Sequence, residues 1–388
     1  MDLEFFHRVL NVDSTSGKEG LLADMLAVWL SGPGRKVDVF DVGDGTRNVL
    51  VSWGRPKVVF CTHLDTVPPY IPPVCMNTGH QLGKDSCGTT EEAGAYPSVE
   101  GYVKGRGTCD AKGQIFAMYE ACKALEAKGY DGFGLLLLAG EETGSFGAKA
   151  FNVMMEGGER AGIDEDAWIV VGEPTDNLMA SAAKGTKSFE VTFAGTACHS
   201  GYPEHGESAV VHFNSFINAL GSIVFPHDDL LGSTTWNVGK LCSDNPQNIL
   251  SDRLTCRVYF RTTFESDQMV CNIMKNMAGE DARLRFGRPK AQDGSDLVGK
   301  DVAPWQRAMS VVAFGGDSPS RFDVLPGFEA APVAFGSDAP QLKCFAHKIL
   351  CGPGSILVAH RDEEHILLAD VEKAVDNYLR IFEMVGKN

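Results

Sequence analysis

The chain has 388 residues, is 44% hydrophobic and 22% charged, and carries a formal net charge of −16. That length exceeds one ordinary domain, so two are expected, and the acidic balance excludes nucleic acid and anionic membrane as partners, since both need a positive surface. Eleven scattered cysteines without a CxxC spacing point to reduced thiols in the cytoplasm rather than to a disulfide framework or a zinc ribbon. The opening MDLEFFHRVLNVDS lacks a signal-peptide pattern, and the longest pure aliphatic run, Leu135–Leu138, is far too short to span a bilayer.

In chain order, residues 2–12 read as an amphipathic helix. Ser16-Gly17-Lys18-Glu19 reads as a capping box for a second helix carrying Leu21, Leu22, Met25, Leu26 and Trp29. Strands are expected at 36–42, 48–53 and 57–61, followed by a long loop over 71–100 rich in Gly, Pro, Thr and Ser. Gly105-Arg106-Gly107-Thr108-Cys109-Asp110-Ala111-Lys112-Gly113 then opens a helix over 114–128. Apolar strands at 133–139 and 168–171 end in Gly140-Glu141-Glu142 and in Gly172-Glu173-Pro174-Thr175. Short apolar strands alternating with helices imply a mostly parallel sheet sandwiched by helices, an α/β catalytic domain.

From about Lys184 the pattern becomes alternating, as in half-exposed antiparallel strands at 188–194 and 253–263, with helices at 206–222 and 266–278. The expected organisation is therefore a catalytic domain over 1–183 and 295–388, with an α+β domain inserted at 184–294. In the second catalytic segment a helix is expected near 305–314, strands near 332–335 and 348–350, and a final helix over 362–386.

The stretch Lys57–Pro69, KVVFCTHLDTVPP, is a buried strand that ends in His63 and Asp65. These two leave the same face of an extended segment, and a histidine oriented by a carboxylate is a common metal-ligand arrangement. Asp110, Glu141, Glu142, Glu173 and, after Gly352-Pro353-Gly354, His360 also sit at strand ends or glycine-rich turns. Several converging carboxylates would repel and stay protonated unless cations joined them. Two histidines with three or more carboxylates suit zinc, cobalt or manganese, and two such ions about 3.5–4 Å apart need a bridging carboxylate.

Five motifs in order carry a resemblance over nearly the whole chain: His63-x-Asp65-x-Val67-Pro68, Gly105-Arg106-Gly107-x-x-Asp110-x-Lys112-Gly113, Gly140-Glu141-Glu142, Gly172-Glu173-Pro174-Thr175, and Gly352-Pro353-Gly354 leading to Ala359-His360. The chain resembles the co-catalytic zinc amidohydrolases and metallopeptidases that include acetylornithine deacetylase, succinyl-diaminopimelate desuccinylase, aminoacylase and the glutamate carboxypeptidases. By length and inserted domain it is most similar to acetylornithine deacetylase. The resemblance implies two zinc ions bridged by Asp110, with His63 and Glu173 completing one site and Glu142 and His360 the other. It implies that Asp65 orients His63, that Glu141 is the general base, and that the Asp110–Ala111 peptide is cis.

The resemblance further implies that His199, in Ala197-Cys198-His199-Ser200-Gly201, steadies the oxyanion, often from a partner subunit. Asn248, Arg261 and Ser337 match positions near the substrate. It also implies a lid and homodimer formed by the inserted domain. The pattern departs at Arg361, where a small residue commonly follows the last histidine, and after Asn237-Val238-Gly239, which lacks paired glycines. His7, His80, His205, His212, His227, His347 and His365 match no ligand position and are read as surface or core residues, and Cys61 and Cys109 as packing residues. The implied activity is removal of an N-acyl group from an amino acid, foremost N-acetylornithine in arginine biosynthesis. A desuccinylase, a metallo-exopeptidase or dipeptidase, and a non-catalytic binding relative are the alternatives.

Overall fold

The strand Val58–His63 is buried at every residue and lies inside a six-stranded sheet. The computed structural model describes residues 1–76, 101–158, 161–277 and 303–387; most of the expected 71–100 loop and His80 lie outside them. Across the sheet the order is Arg35–Gly43, Thr46–Trp53, Phe133–Leu138, Val58–His63, Trp168–Val171 and His347–Leu350. The last four strands run parallel and the first two are antiparallel. The parallel strands read as continuous Val, Ile, Leu and Phe because both of their faces are covered.

Helix Lys112–Ala127 crosses the core, with Ile115, Phe116, Met118 and Cys122 fully buried. Phe6 stacks on Phe116 at 4.5 Å between ring centroids, and Tyr378 of the last helix, Leu368–Val385, lies 5.5 Å from Phe60. Each such aromatic contributes roughly 1.5–3 kcal/mol by leaving water. The first helix, Leu3–Leu10, is capped by Asp2, whose carboxylate accepts the Phe5 N–H at 3.0 Å.

The chain forms two compact units: Met1–Ser181, Phe322–Ala331 and Ser337–Asn388 make the first, and Ala182–Arg321 with Pro332–Gly336 the second. The second unit is an antiparallel sheet in the order Thr235–Cys242, Arg253–Thr262, Gly185–Ala194, Met309–Gly315. Its helices Ala209–Gly221 and Asp267–Met277 help build a core that includes Phe189, Phe193, Phe216, Val258 and Phe260.

Three expectations are corrected. Ser16 and Glu19 form no capping box: the helix Gly20–Trp29 has no side-chain cap, and the Ser16 hydroxyl donates instead to Asp65 Oδ2 at 2.8 Å. The helix expected near 305–314 is one turn, Pro304–Arg307, followed by the strand Met309–Gly315, which pairs with Gly185–Ala194. The second unit therefore runs past residue 294. The final helix begins at Leu368; His365–Leu367 is a strand paired with Tyr102–Lys104, and Ile366 is buried there.

Candidate metal centre

Four adjacent parallel strands end on one edge of the sheet, and ligands in such sheets bind outside the carboxyl ends. Val58–His63 delivers His63 and Asp65. Phe133–Leu138 leads into Glu141 and Glu142, Trp168–Val171 into Glu173, and His347–Leu350, through Gly352-Pro353-Gly354, to His360. Asp110 reaches the same place from the turn that opens helix Lys112–Ala127. Gly352 is required by close approach: a Cβ there would lie 2.1 Å from Gln114 Oε1 and 2.6 Å from the Glu173 carbonyl.

Two triads result. One ligand atom each from His63, Asp110 and Glu173 lies within 4.8 Å of the others, and so do those of Asp110, Glu142 and His360. Asp110 belongs to both triads, and its two oxygens face different histidines. Oδ1 is 3.0 Å from His63 Nε2, and Oδ2 is 3.3 Å from His360 Nε2. His360 Nε2 is also 2.8 Å from Glu142 Oε1. The His360 backbone has φ +62°, a left-handed conformation that a non-glycine side chain rarely adopts and that concentrates at functional sites. The Asp110–Ala111 peptide is cis.

Asp65 is fully buried and serves more than His63. His63 Nδ1 donates to the Asp65 backbone oxygen at 2.9 Å, with the carboxylate Oδ1 at 3.4 Å. That carboxylate also accepts the backbone N–H groups of Glu141 (3.0 Å) and Glu142 (3.2 Å) and the Ser16 hydroxyl. Asp65 thus sets the first ligand and the Glu141-Glu142 turn together.

The electrostatics are those of crowded acids. Burial pushes Glu141 and Glu173 well above the usual carboxylate range. Burial opposes charge on Asp110 and His63 as well, but their mutual contacts outweigh it. Hydrogen bonds with His360 and His63 hold Asp110 low, and Asp110 and Asp65 hold His63 well above its usual value. Hydrogen bonds to Asp110 and then Glu142 raise His360 to about 10. A cluster this crowded needs protons or cations to neutralise it, and divalent ions bound by these groups would displace protons.

The residues fit a pair of such ions. Glu173 Oε1 is buried with no hydrogen-bond partner, a loss that coordination would make good. Two imidazoles and three carboxylates, one shared, form the donor set of a two-metal site. Glu141 is half-buried, next in sequence to Glu142, and belongs to neither triad.

The remaining predicted residues belong to neither triad. Ser337 is buried in the first unit, its Oγ accepting the Ala339 N–H at 3.4 Å. His199, Asn248 and Arg261 belong to the second unit. His199 is exposed, with Nδ1 accepting the Gly201 N–H at 3.0 Å, and Asn248 is exposed. Arg261 is half-buried with its guanidinium 5.1 Å from the Tyr259 ring centroid. Cys61 and Cys109 are buried free thiols.

Two buried residues beside the triads have no assigned role in the sequence reading: Arg106, known only as a motif position, and Glu364. Glu364 follows His360 by four residues, a weak signal in a stretch read as helical.

The sequence model of peptidase family M20/M25/M40 matches residues 59–384. A "probable carboxypeptidase" of Aspergillus niger is 28% identical over 411 residues, covering 97% of this chain and 88% of that protein. Another of Aspergillus flavus is 29% identical, covering 97% and 86%. Among solved structures, a tripeptidase of Staphylococcus aureus superposes with a TM-score of 0.70 at 16% identity, covering 100% of this chain and 98% of that one. The M20 family metallo-carboxypeptidase Sso-CP2 of Sulfolobus solfataricus gives 0.66 at 15% identity, with 100% of both covered. With the fold, the ordered motifs and a match spanning most of the chain in agreement, this protein belongs to peptidase family M20/M25/M40.

Proposed function

We propose that the chain is a zinc-dependent exopeptidase that releases the carboxyl-terminal residue of a small peptide. The observation that carries the hydrolytic reading is Glu141, held beside both triads by the Asp65–amide hydrogen bond yet pledged to neither. Peptide specificity is supported by relatives matched over most of their length that are named "probable carboxypeptidase". N-acetylornithine deacetylation uses the same residues and differs only in the acyl group, so it is the competing substrate assignment.

Two zinc ions in the triads would supply Lewis acidity, lowering the pKa of a water and polarising the scissile carbonyl. Glu141 takes the proton from the attacking water. It then returns that proton to the leaving amine. Asp65 keeps the Glu141 backbone fixed during both transfers. Glu142, paired with His360, is not available for this task. On the resemblance, Arg261, Asn248 and Ser337 are each proposed as substrate contacts, Arg261 for a carboxylate, and His199 as oxyanion donor. Among the described residues no carboxylate forms an ion pair with Arg261, which leaves its charge for a ligand. A homodimer through the inserted domain is proposed on the resemblance alone, and sedimentation of the purified protein tests it.

The deciding experiment is hydrolysis by zinc-loaded protein of a panel of dipeptides, amino-blocked peptides with a free carboxyl end, N-acetylornithine and N-succinyl amino acids. Metal-dependent release of carboxyl-terminal residues supports the proposal. Release of ornithine from N-acetylornithine with peptides left intact replaces it with the deacetylase. No turnover of any substrate by protein holding two metal ions refutes both.

A further inference from the structure

Behind Asp110 lies a sealed ion pair that the hydrolytic reading does not use. Arg106 is 2% exposed and Glu364 fully buried, with Arg106 Nη1 donating to Glu364 Oε2 at 2.6 Å. The other carboxylate oxygen, Oε1, accepts the backbone N–H groups of both Cys109 and Asp110, each at 3.1 Å. The Arg106 guanidinium also donates to the carbonyls of Pro69 and Arg361, each at 3.2 Å. Pro69 follows the His63–Asp65 segment, and Arg361 is the neighbour of His360.

We infer that Arg106 and Glu364 are positioning residues that set the metal affinity of both triads at once. The argument is connectivity. Asp110 is the one ligand common to the triads, and Glu364 holds its backbone. His360 has an unfavourable left-handed backbone, and Arg106 binds the carbonyl of the next residue. A planar guanidinium can serve Glu364, Pro69 and Arg361 together because its donors leave in fixed, divergent directions. A buried pair of this kind is weak evidence for stability, since apolar replacements of similar volume are often neutral. Its directional hydrogen bonds, all ending on the loops that carry ligands, are what an apolar pair cannot reproduce. Partners that hold metal ligands in place typically contribute 10–100-fold in affinity.

The inference rests on the metal reading of the triads but on no substrate. The test is zinc titration of metal-free protein against a chelating dye, which reads two affinities without turnover. Three variants are compared with the parent. Arg106→Met/Glu364→Gln removes the charges but keeps an acceptor for the two amides. Arg106→Met/Glu364→Leu removes the acceptor as well. Glu173→Gln alters a ligand of one triad only. The Leu double variant is expected to lose about 10–100-fold in affinity for both ions, the Gln double variant less, and Glu173→Gln chiefly for one ion. Thermal unfolding of the metal-free proteins separates positioning from folding: the Leu variant, which leaves two buried amide donors unpaired, is expected to melt below the Gln variant yet to stay folded at the temperature of the titration.

Wild-type affinity for both ions in a folded Leu variant overturns the inference. So does a Leu variant that unfolds while the Gln variant binds both ions as the parent does, because the pair is then structural. Normal affinity changes in a protein that cleaves no amide would refute the proposed function and leave this inference standing.

Discussion

The two triads share Asp110 and differ in almost everything else. His63, Asp110 and Glu173 are all buried, whereas the other set runs from buried Asp110 through half-buried Glu142 to an exposed His360. The sealed triad stands at the ends of two core strands. The open one hangs on two turns, one of them with a left-handed histidine. Buried like charges are expensive unless neutralised, while exposed ones are hydrated and screened. We expect the sealed half to hold a cation more tightly than the open half, which alone reaches solvent.

The largest effect that would test this contrast is at the shared ligand. Asp110→Asn should remove both ions together, measured as metal content after gel filtration, and abolish turnover. Loss of a single ion would break the claim that Asp110 joins the triads. Next, Glu141→Gln should lower kcat by about 10²–10⁴-fold while both ions are retained. Metal loss in that variant would make Glu141 a ligand and move the general base elsewhere.

The two halves should then separate under single replacements. Glu173→Gln removes a charge from the sealed triad, and one tightly held ion should become exchangeable with chelator. The same variant should lose most of the metal-dependent gain in thermal stability, which for a ligand at a thousand times its Kd is about 4 kcal/mol. His360→Ala should release the other ion with a smaller change in melting temperature, because a half-exposed site holds its ion less tightly and the stabilisation by a bound ligand falls with the ratio of its concentration to Kd. Equal stability losses from the two variants would erase the distinction between a sealed and an open half.

Much of this was legible in the sequence because the parallel strands are unbroken apolar runs, Val58-Val59-Phe60-Cys61 and Leu135–Leu138 among them. A polar residue at the end of such a run has few structural reasons to be there, so His63, Glu142 and Glu173 stood out. Glu364 did not. It sits among residues 362–386, whose spacing suggested one helix, and the amides it accepts are more than 250 residues away in sequence. The short apolar run Met309–Gly315 fits either period, and its pairing with Gly185–Ala194 makes it a strand. The masking factor in each case is long-range hydrogen bonding, which leaves no local pattern.

Ser16 shows the same limit on a smaller scale, and it yields the mildest test of the contrast. Its spacing to Glu19 suggested a capping box, but its hydroxyl reaches Asp65 Oδ2, 49 residues along the chain, at 2.8 Å. Asp65 is the only described residue whose side chain accepts both the Glu141 and Glu142 N–H groups, so it touches the base and the open triad alike. Ser16→Ala removes one of the donors on a buried carboxylate, a loss of about 1.5–3 kcal/mol for a hydrogen bond to a charged group. Because the two backbone donors and His63 remain, the effect should fall at the low end of that range in thermal unfolding. If Asp65 steadies the Glu141 turn, kcat should fall several-fold with KM unchanged, and Ser16→Thr should restore it. A drop in stability with kcat intact would instead make Ser16 a fold contact, and would confine the task of Asp65 to its histidine.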